Sequence, residues 1–147
     1  MTFQQLQGGN NLQNKRDMSK QVLSIEQMNH LQELGLDTSD AKMCWIKDAE
    51  GNCTLEIHDE YCYEMSFMSP IPTYTLQDIF DKFPKYINPI PSEQILFAWM
   101  AERDTIAYRN IEMYDDIFTH FTDETLIDAA YEMLCWLYEN NYLPLKN

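Results

Sequence analysis

The triplet His58-Asp59-Glu60 places an imidazole beside two carboxylates. Such side chains bind metal ions or transfer protons. Consecutive residues of a strand point to alternating faces, however, so these three side chains would not converge on one ion. We therefore interpret the triplet as the polar end of a strand and keep His58 as a candidate contact for a partner.

Asp116 and His120 form a second pair of candidate metal ligands. In a helix, their spacing of four residues would place both side chains on one face. A complete site needs at least one further ligand, and the sequence offers none at a suitable spacing. We interpret this segment as a solvated turn before the last helix, and we expect neither a bound metal nor another cofactor.

The cysteines show no pattern of a metal site, a disulfide framework or a nucleophile. They form no Cys-x-x-Cys pair, and none has a histidine at zinc-site spacing. Cys135 lies in an apolar, acidic segment without a base that would activate its thiol. The sequence therefore predicts no catalytic site and four reduced thiols, at Cys44, Cys53, Cys62 and Cys135.

Acidic residues outnumber basic residues by 24 to 10, which gives a net charge of -14 at pH 7. Binding to nucleic-acid phosphates needs clustered Lys and Arg, so we expect no direct contact with nucleic acid. A negative field favours a basic protein partner. The acidic candidate contacts are Glu112, Asp115 and Asp116, with Asp123, Glu124 and Asp128 close to them in sequence.

Trp45 is the candidate hydrophobic anchor of such an interface. In the hairpin predicted below, it lies on the more polar face together with Met43 and His58. An aromatic ring in that position is typical of a binding surface. The alternative is that another element of the fold covers this face.

The length of 147 residues and an apolar content of 45% predict a single folded domain. The longest apolar run, 95–101, is too short to cross a bilayer. The N-terminus lacks the pattern of a signal peptide, so we expect a cytoplasmic protein without membrane contacts. Residues 1–21 are rich in Gln and Asn and predict a disordered arm, and residues 22–147 predict the domain.

The pattern of elements predicts an α+β fold in the order α-β-β-(β)-α-β-β-α. Two hairpins, in one mixed or antiparallel sheet, would carry about three helices. The first helix begins with a capping box at Ser24 and Gln27, and Gly35 ends it.

A hairpin of strands 43–47 and 53–58 should follow this helix, because two β-prone runs flank a turn-rich segment. Its predicted register places Ile46 opposite Leu55, so that one face is apolar. Residues 61–68 are a candidate third strand.

The second half of the chain predicts a short helix, a hairpin and a long helix. Thr75 caps the short helix, and Pro84 limits it. Segment 95–113 favours a central hairpin covered on both faces, with a helix as the alternative. Thr122 is the predicted cap of the last helix. The apolar stripe of that helix, which should pack on a sheet, is Leu126, Ala130, Leu134 and Leu137.

Four segments carry a resemblance to known proteins: Leu23–Gln27 with Leu34–Leu36, Ile57–Glu64, Tyr74–Ile79 and Leu126–Trp136. Together they resemble a family of small acidic proteins from prophage-like and other mobile elements of gut Bacteroidales bacteria. The resemblance covers about residues 22–143. It brings no activity and no functional residue with it, and it implies an accessory protein of a host or phage.

The leading hypothesis is a non-enzymatic accessory protein that binds a protein partner. One alternative is an acidic inhibitor whose carboxylates mimic nucleic-acid phosphates and block a host defence protein. The other is a small enzyme whose site is assembled from scattered Asp, Glu, His and Tyr residues. An ordered row of acids on one face would favour the inhibitor, and a deep pocket with convergent carboxylates would favour the enzyme.

Overall fold

The computed structural model describes residues 21–143, which form an α+β fold of four helices and two antiparallel sheets. The helices are α1 (Ile25–Leu34), α2 (Glu60–Met65), α3 (Leu76–Lys82) and α4 (Leu126–Glu139). The strands are β1 (Met43–Lys47), β2 (Cys53–Ile57), β3 (Ile71–Thr73), β4 (Tyr86–Ile87), β5 (Phe97–Glu102), β6 (Thr105–Asn110) and β7 (Ile117–Thr122). The predicted α+β class is confirmed, but the two hairpins lie in separate sheets and not in one. The predicted arm lies outside the described residues except for Gln21.

Helix α1 begins and ends where the sequence predicts. The Ser24 hydroxyl accepts a hydrogen bond from the Gln27 amide at 3.1 Å, and the Gln27 side chain accepts one from the Ser24 amide at 2.9 Å. Gly35 has a φ of 103°, and a Cβ added there would lie 2.6 Å from the Tyr138 hydroxyl oxygen. The backbone conformation therefore requires glycine, and a side chain there would also displace the Tyr138 hydroxyl.

The first sheet has the order β2-β1-β3, and the predicted register of its hairpin is wrong by one residue. Ile46 lies opposite Thr54 instead of Leu55. The cause is Asp48, whose carboxylate accepts hydrogen bonds from the amides of Glu50 and Asn52, each at 2.9 Å. This cap closes the turn between Asp48 and Asn52 and leaves Asp48 outside the strand.

The third strand of this sheet is β3, so the prediction of a strand at 61–68 is wrong. That segment forms α2, because the Asp59 carboxylate caps it by accepting from the Cys62 amide at 3.2 Å. Cys62 is the one buried residue of α2 and contacts Cys44 and Ile46 of β1. Strand β3 contains Pro72, which has no backbone N–H. An edge strand tolerates proline because one of its sides forms no hydrogen bonds with a neighbouring strand.

The second sheet has the order β4-β5-β6-β7. The hairpin prediction for 95–113 is confirmed by β5 and β6, which turn at Arg103 with a φ of 56°. Helix α4 covers the face of Ile106 and Tyr108, which are fully buried. On the opposite face Met100 is 43% exposed, so the prediction that both faces are covered is wrong.

Helix α4 packs its apolar stripe against β6 and β7, as predicted, and also contacts α1 and α3. Its cap is Thr125 instead of the predicted Thr122. Thr122 belongs to β7, where its hydroxyl lies 2.7 Å from that of Thr105 on the neighbouring strand. Thr122 therefore pairs across the sheet instead of capping the helix, and the helix cap lies three residues later, at Thr125.

In the part of the chain that the structure describes, none of the helices is both long and apolar enough to span a membrane.

Candidate functional site

The His58-Asp59-Glu60 triplet does not form a site, because its members are used separately. The His58 ring lies 2.8 Å from the Ala41 carbonyl through Nδ1 and 2.9 Å from the Tyr63 hydroxyl through Nε2. A carbonyl only accepts, so Nδ1 donates to the Ala41 carbonyl. Asp59 caps α2. His58 thus joins the end of β2 to α2 and to the residues before β1.

The interpretation as a solvated turn holds for Asp116, whose amide closes a turn by donating to the Met113 carbonyl at 2.9 Å, and is wrong for His120. His120 lies within β7, and Asp116 directly precedes this strand. Four residues of strand separate them by about 13 Å, too far for both to bind one ion. Among residues 21–143, no cluster of three His, Cys, Asp or Glu side chains is placed to hold a metal.

Trp45 is half-buried and has an internal role. Its indole nitrogen donates to the Leu23 carbonyl at 3.1 Å, and the Thr73 hydroxyl donates to the same carbonyl at 2.7 Å. These bonds tie the first sheet to the residues that precede α1. This arrangement agrees with the alternative stated above for Trp45, in which another part of the fold covers its face of the first sheet.

The acidic candidates Glu112, Asp115 and Asp116 lie in the loop between β6 and β7, together with three strongly exposed apolar side chains. The exposed fractions are 54% for Ile111, 64% for Met113 and 54% for Tyr114. We call residues 111–116 the acidic loop. The charges of this loop are predicted above and its exposed apolar residues are not, although the loop is visible in the sequence as a mixture of apolar and acidic residues without the period of a strand or helix.

Asn110, a buried residue at the end of β6, is hydrogen-bonded to three residues of the acidic loop. Its side-chain oxygen accepts from the amides of Glu112 at 2.9 Å and Met113 at 3.3 Å. Its side-chain nitrogen donates to the Asp116 carboxylate at 3.2 Å, and its backbone amide donates to the Asp116 carbonyl at 2.9 Å. Asp116 is therefore part of the support of the loop.

Arg109 fixes the far side of the acidic loop. Its guanidinium donates to the Tyr114 carbonyl at 3.1 Å and lies over the Tyr114 ring, 4.4 Å from its centroid. On the uncovered face of the second sheet, Arg109, Tyr114 and Met100 line a shallow depression of about 140 Å³. The loop thus presents its apolar side chains from a backbone held on both sides.

Acidic side chains flank β7 at both ends. Asp115 and Asp116 precede the strand, and Asp123 and Glu124 follow it. At the second end, burial raises the pKa of Glu132, and a hydrogen bond with the Asp123 carboxyl raises it further. Within residues 21–143, the ion pair that forms joins Lys82 and Asp40, far from these acids in sequence.

The Lys82–Asp40 pair belongs to a separate polar cluster beside a depression of about 180 Å³. The buried Tyr74 hydroxyl donates to the Asp40 carboxylate at 3.0 Å and to the Asp37 carbonyl at 3.1 Å. Burial alone would raise the pKa of Asp40, but Lys82 and the hydrogen bond from Tyr74 together lower it. These groups bond to one another and join α3 to the loop before β1, and Asp40, Tyr74 and Lys82 line the depression.

A second exposed apolar surface lies on α2 and the residues around it. It consists of Ile57, Tyr61, Tyr63, Met65, Phe67 and Met68, with exposed fractions between 47% and 70%. Helix α2 has Cys62 as its one buried residue. The surface rests on a short helix that Asp59 caps, and hydrogen bonds also join it to the first sheet, at Tyr63 to His58 and at Phe67 to the Lys47 carbonyl.

Comparison of the chain with family models, with curated proteins and with solved structures found no match.

Proposed function

We propose that the protein is a non-enzymatic binding protein and that the acidic loop is its contact with a basic protein partner. The observation that carries the proposal is the strong exposure of Ile111, Met113 and Tyr114 on a loop held by side-chain hydrogen bonds. The accessory role in a mobile element, which the sequence resemblance implies, belongs to the same proposal.

The fixed conformation of the loop supports this proposal energetically. A partner that buries an exposed Met side chain gains roughly 1.5–3 kcal/mol from apolar surface removed from water. Ordering a flexible side chain or loop on binding costs about 0.5–1.5 kcal/mol per residue, and a loop already ordered avoids much of this cost. Met113 and Tyr114 are therefore the proposed anchors, in place of Trp45.

The charges favour a basic protein over the other hypotheses. Glu112 and Asp115 are exposed beside the anchors, and the whole chain carries a net charge of -14. Such charges raise the association rate more than the final affinity. The acids around β7 form two groups at its opposite ends, about 20 Å apart for six residues of strand, which does not favour a continuous mimic of phosphates.

The experiment compares variants against a partner recovered from the native host by affinity capture. Met113→Ser and Tyr114→Ser should each weaken binding about tenfold or more, mainly through faster dissociation. Glu112→Gln with Asp115→Asn should slow association and flatten its dependence on salt. Asp116 is left unchanged because it supports the loop.

Phe67→Ser is the matched control, since Phe67 is 70% exposed on the α2 surface. It should leave binding unchanged. A partner that is lost with Phe67→Ser but retained by Met113→Ser and Tyr114→Ser would place the interface on α2 and refute the proposal. Turnover of a small molecule by the protein would refute the non-enzymatic part of it.

A further inference from the structure

Strand β7 is the longer of the two edge strands of the second sheet. It pairs with β6 on one side, and no described strand pairs with its other side. Ile117 and Phe118 at its start are each 40% exposed. An exposed edge of six residues presents unpaired amide and carbonyl groups, onto which an extended segment can add as a further strand.

The charges at the two ends of β7 select against a second copy of this chain. In an antiparallel pair of two β7 strands, Asp115 and Asp116 of one copy would lie near Asp123 and Glu124 of the other. Like charges in such positions are destabilising. A strand with basic residues at both ends would instead meet opposite charges, and it would also relieve the crowded carboxyls of Asp123 and Glu132.

An aromatic surface lies beside this edge, on the side of the sheet that α4 covers. Phe118 has no partner on β6, because a bulge pairs Tyr108 with Thr119 and Arg109 with Ile117. The Phe118 ring is 5.8 Å from the Trp136 ring, and Trp136 stacks on Tyr142 at 5.3 Å. An added strand would place alternate side chains over these rings, which favours apolar residues at those positions.

We propose that β7 binds an extended segment of the partner as an added strand. The segment has about six residues in the strand, an apolar side chain facing Phe118 and Trp136, and basic residues at both ends. This inference rests on the proposed function, because the acidic loop leads directly into β7 and belongs to the same surface.

The probe is the peptide Lys-Lys-Val-Thr-Val-Thr-Val-Thr-Lys-Lys, whose inner lysines are spaced to reach both acidic ends. Binding is measured by calorimetry, and amide hydrogen exchange locates it. The peptide should protect amides of residues 117–122 and leave those of β2, an edge strand of the first sheet, unchanged. The same peptide with glutamates at its ends should bind about tenfold more weakly or not at all.

Backbone methylation separates strand addition from simple charge attraction. Two peptides carry N-methyl groups on alternate residues, one on the valines and the other on the threonines. Since only one edge of an added strand faces β7, one of the two peptides should lose binding and the other should retain it. Equal binding of both methylated peptides would overturn the inference.

A pair of charge variants tests the role of the strand ends. Asp115→Asn with Glu124→Gln should weaken the lysine peptide about tenfold. Glu50→Gln with Glu64→Gln removes the same charge from exposed sites outside the second sheet, in the turn of the first hairpin and on α2, and should leave affinity within about threefold. An equal loss of peptide affinity in both double variants would show that only the net charge of the protein matters, and it would overturn the inference.

The outcomes distinguish this inference from the proposed function. If no peptide binds, or if protection is confined to residues 111–116, strand addition is refuted. The proposed function still stands in that case if the recovered partner is lost with Met113→Ser and Tyr114→Ser. If these variants also leave the partner bound, both ideas fail.

Discussion

Asn110 is the residue whose replacement tests most directly how the acidic loop is held. Asn110→Ala removes three side-chain hydrogen bonds, two to loop amides and one to Asp116. At about 0.5–1.5 kcal/mol each, they sum to about 1.5–4.5 kcal/mol. Because Glu112 and Met113 are exposed, water replaces part of this, and we expect a loss of about 1–3 kcal/mol in unfolding free energy.

An exchange of side chains identifies which of these bonds matters. Asn110→Asp keeps the acceptor for the loop amides but places a second carboxylate against Asp116, so it should destabilise the protein at pH 7. The double variant Asn110→Asp with Asp116→Asn restores an amide donor and a carboxylate acceptor across the same contact. It should recover more than half of the loss, which is the coupling expected for residues in direct contact.

The assay is urea unfolding followed by circular dichroism, with the slope checked for constancy among the variants. A loss below about 0.5 kcal/mol for Asn110→Ala is the size of an ordinary surface substitution and would refute the supporting role. A double variant no more stable than Asn110→Asp alone would show that the contact with Asp116 does not contribute.

Three further predictions concern the core, the thiols and the charges. Leu134→Ala should lower the unfolding free energy by about 2–5 kcal/mol, because Leu134 is fully buried between α4 and the sheet, and a loss below about 0.5 kcal/mol would contradict this. A disulfide reagent should modify exposed Cys53 rapidly and the three buried thiols only on unfolding, since burial raises the pKa of Cys44 to about 12 and that of Cys135 to about 11. A second rapidly modified thiol would contradict the burial. Four reactive thiols in denaturant would match the predicted reduced state. Glu132→Gln should raise Tm at pH 7, because burial in the folded state raises the pKa of Glu132 and so disfavours its ionised form. The gain in Tm should vanish by about pH 4, where a glutamate is protonated in both states. A lower Tm of the variant at pH 7 would refute the reasoning.

The parts of the fold that the sequence predicts correctly depend on residues close together in the chain. The capping box of α1 joins Ser24 and Gln27, three residues apart, and Gly35 ends the helix through its own backbone conformation. The hairpin of β5 and β6 follows from alternation on both sides of a polar turn. In these cases the local preference and the final packing agree.

The wrong predictions arise where a side chain changes a local pattern. The aromatic residues of 61–68 favour a strand, but the Asp59 cap and the burial of Cys62 make a helix. The start of β7 has no regular alternation, because Phe118 is the extra residue of a bulge. A turn cap at Asp48 shifts the first hairpin by one residue, and no apolar pattern reports it.

The candidate site was predictable in its charges and not in its geometry. Glu112 and Asp115 are visible as acids in the sequence, but exposure of the apolar residues beside them depends on where the sheet ends. The support by Asn110 joins residues up to six positions apart through a loop without regular structure. The internal hydrogen bond of Trp45 was also not predictable, because the indole donates to the Leu23 carbonyl, 22 residues earlier in the chain.

The acidic loop and the edge of β7 depend on the same few bonds. The Asn110 amide donates to the Asp116 carbonyl directly beside the bulge, so the loop continues the ladder between β6 and β7. Asn110→Asp should therefore disturb both the anchors on the loop and the start of β7, and should weaken the partner and the lysine peptide together. The Asn110→Asp, Asp116→Asn exchange should restore both affinities along with stability. If stability returns and affinity does not, the Asp116 carboxylate itself contacts the partner, and its place as a purely supporting residue is wrong.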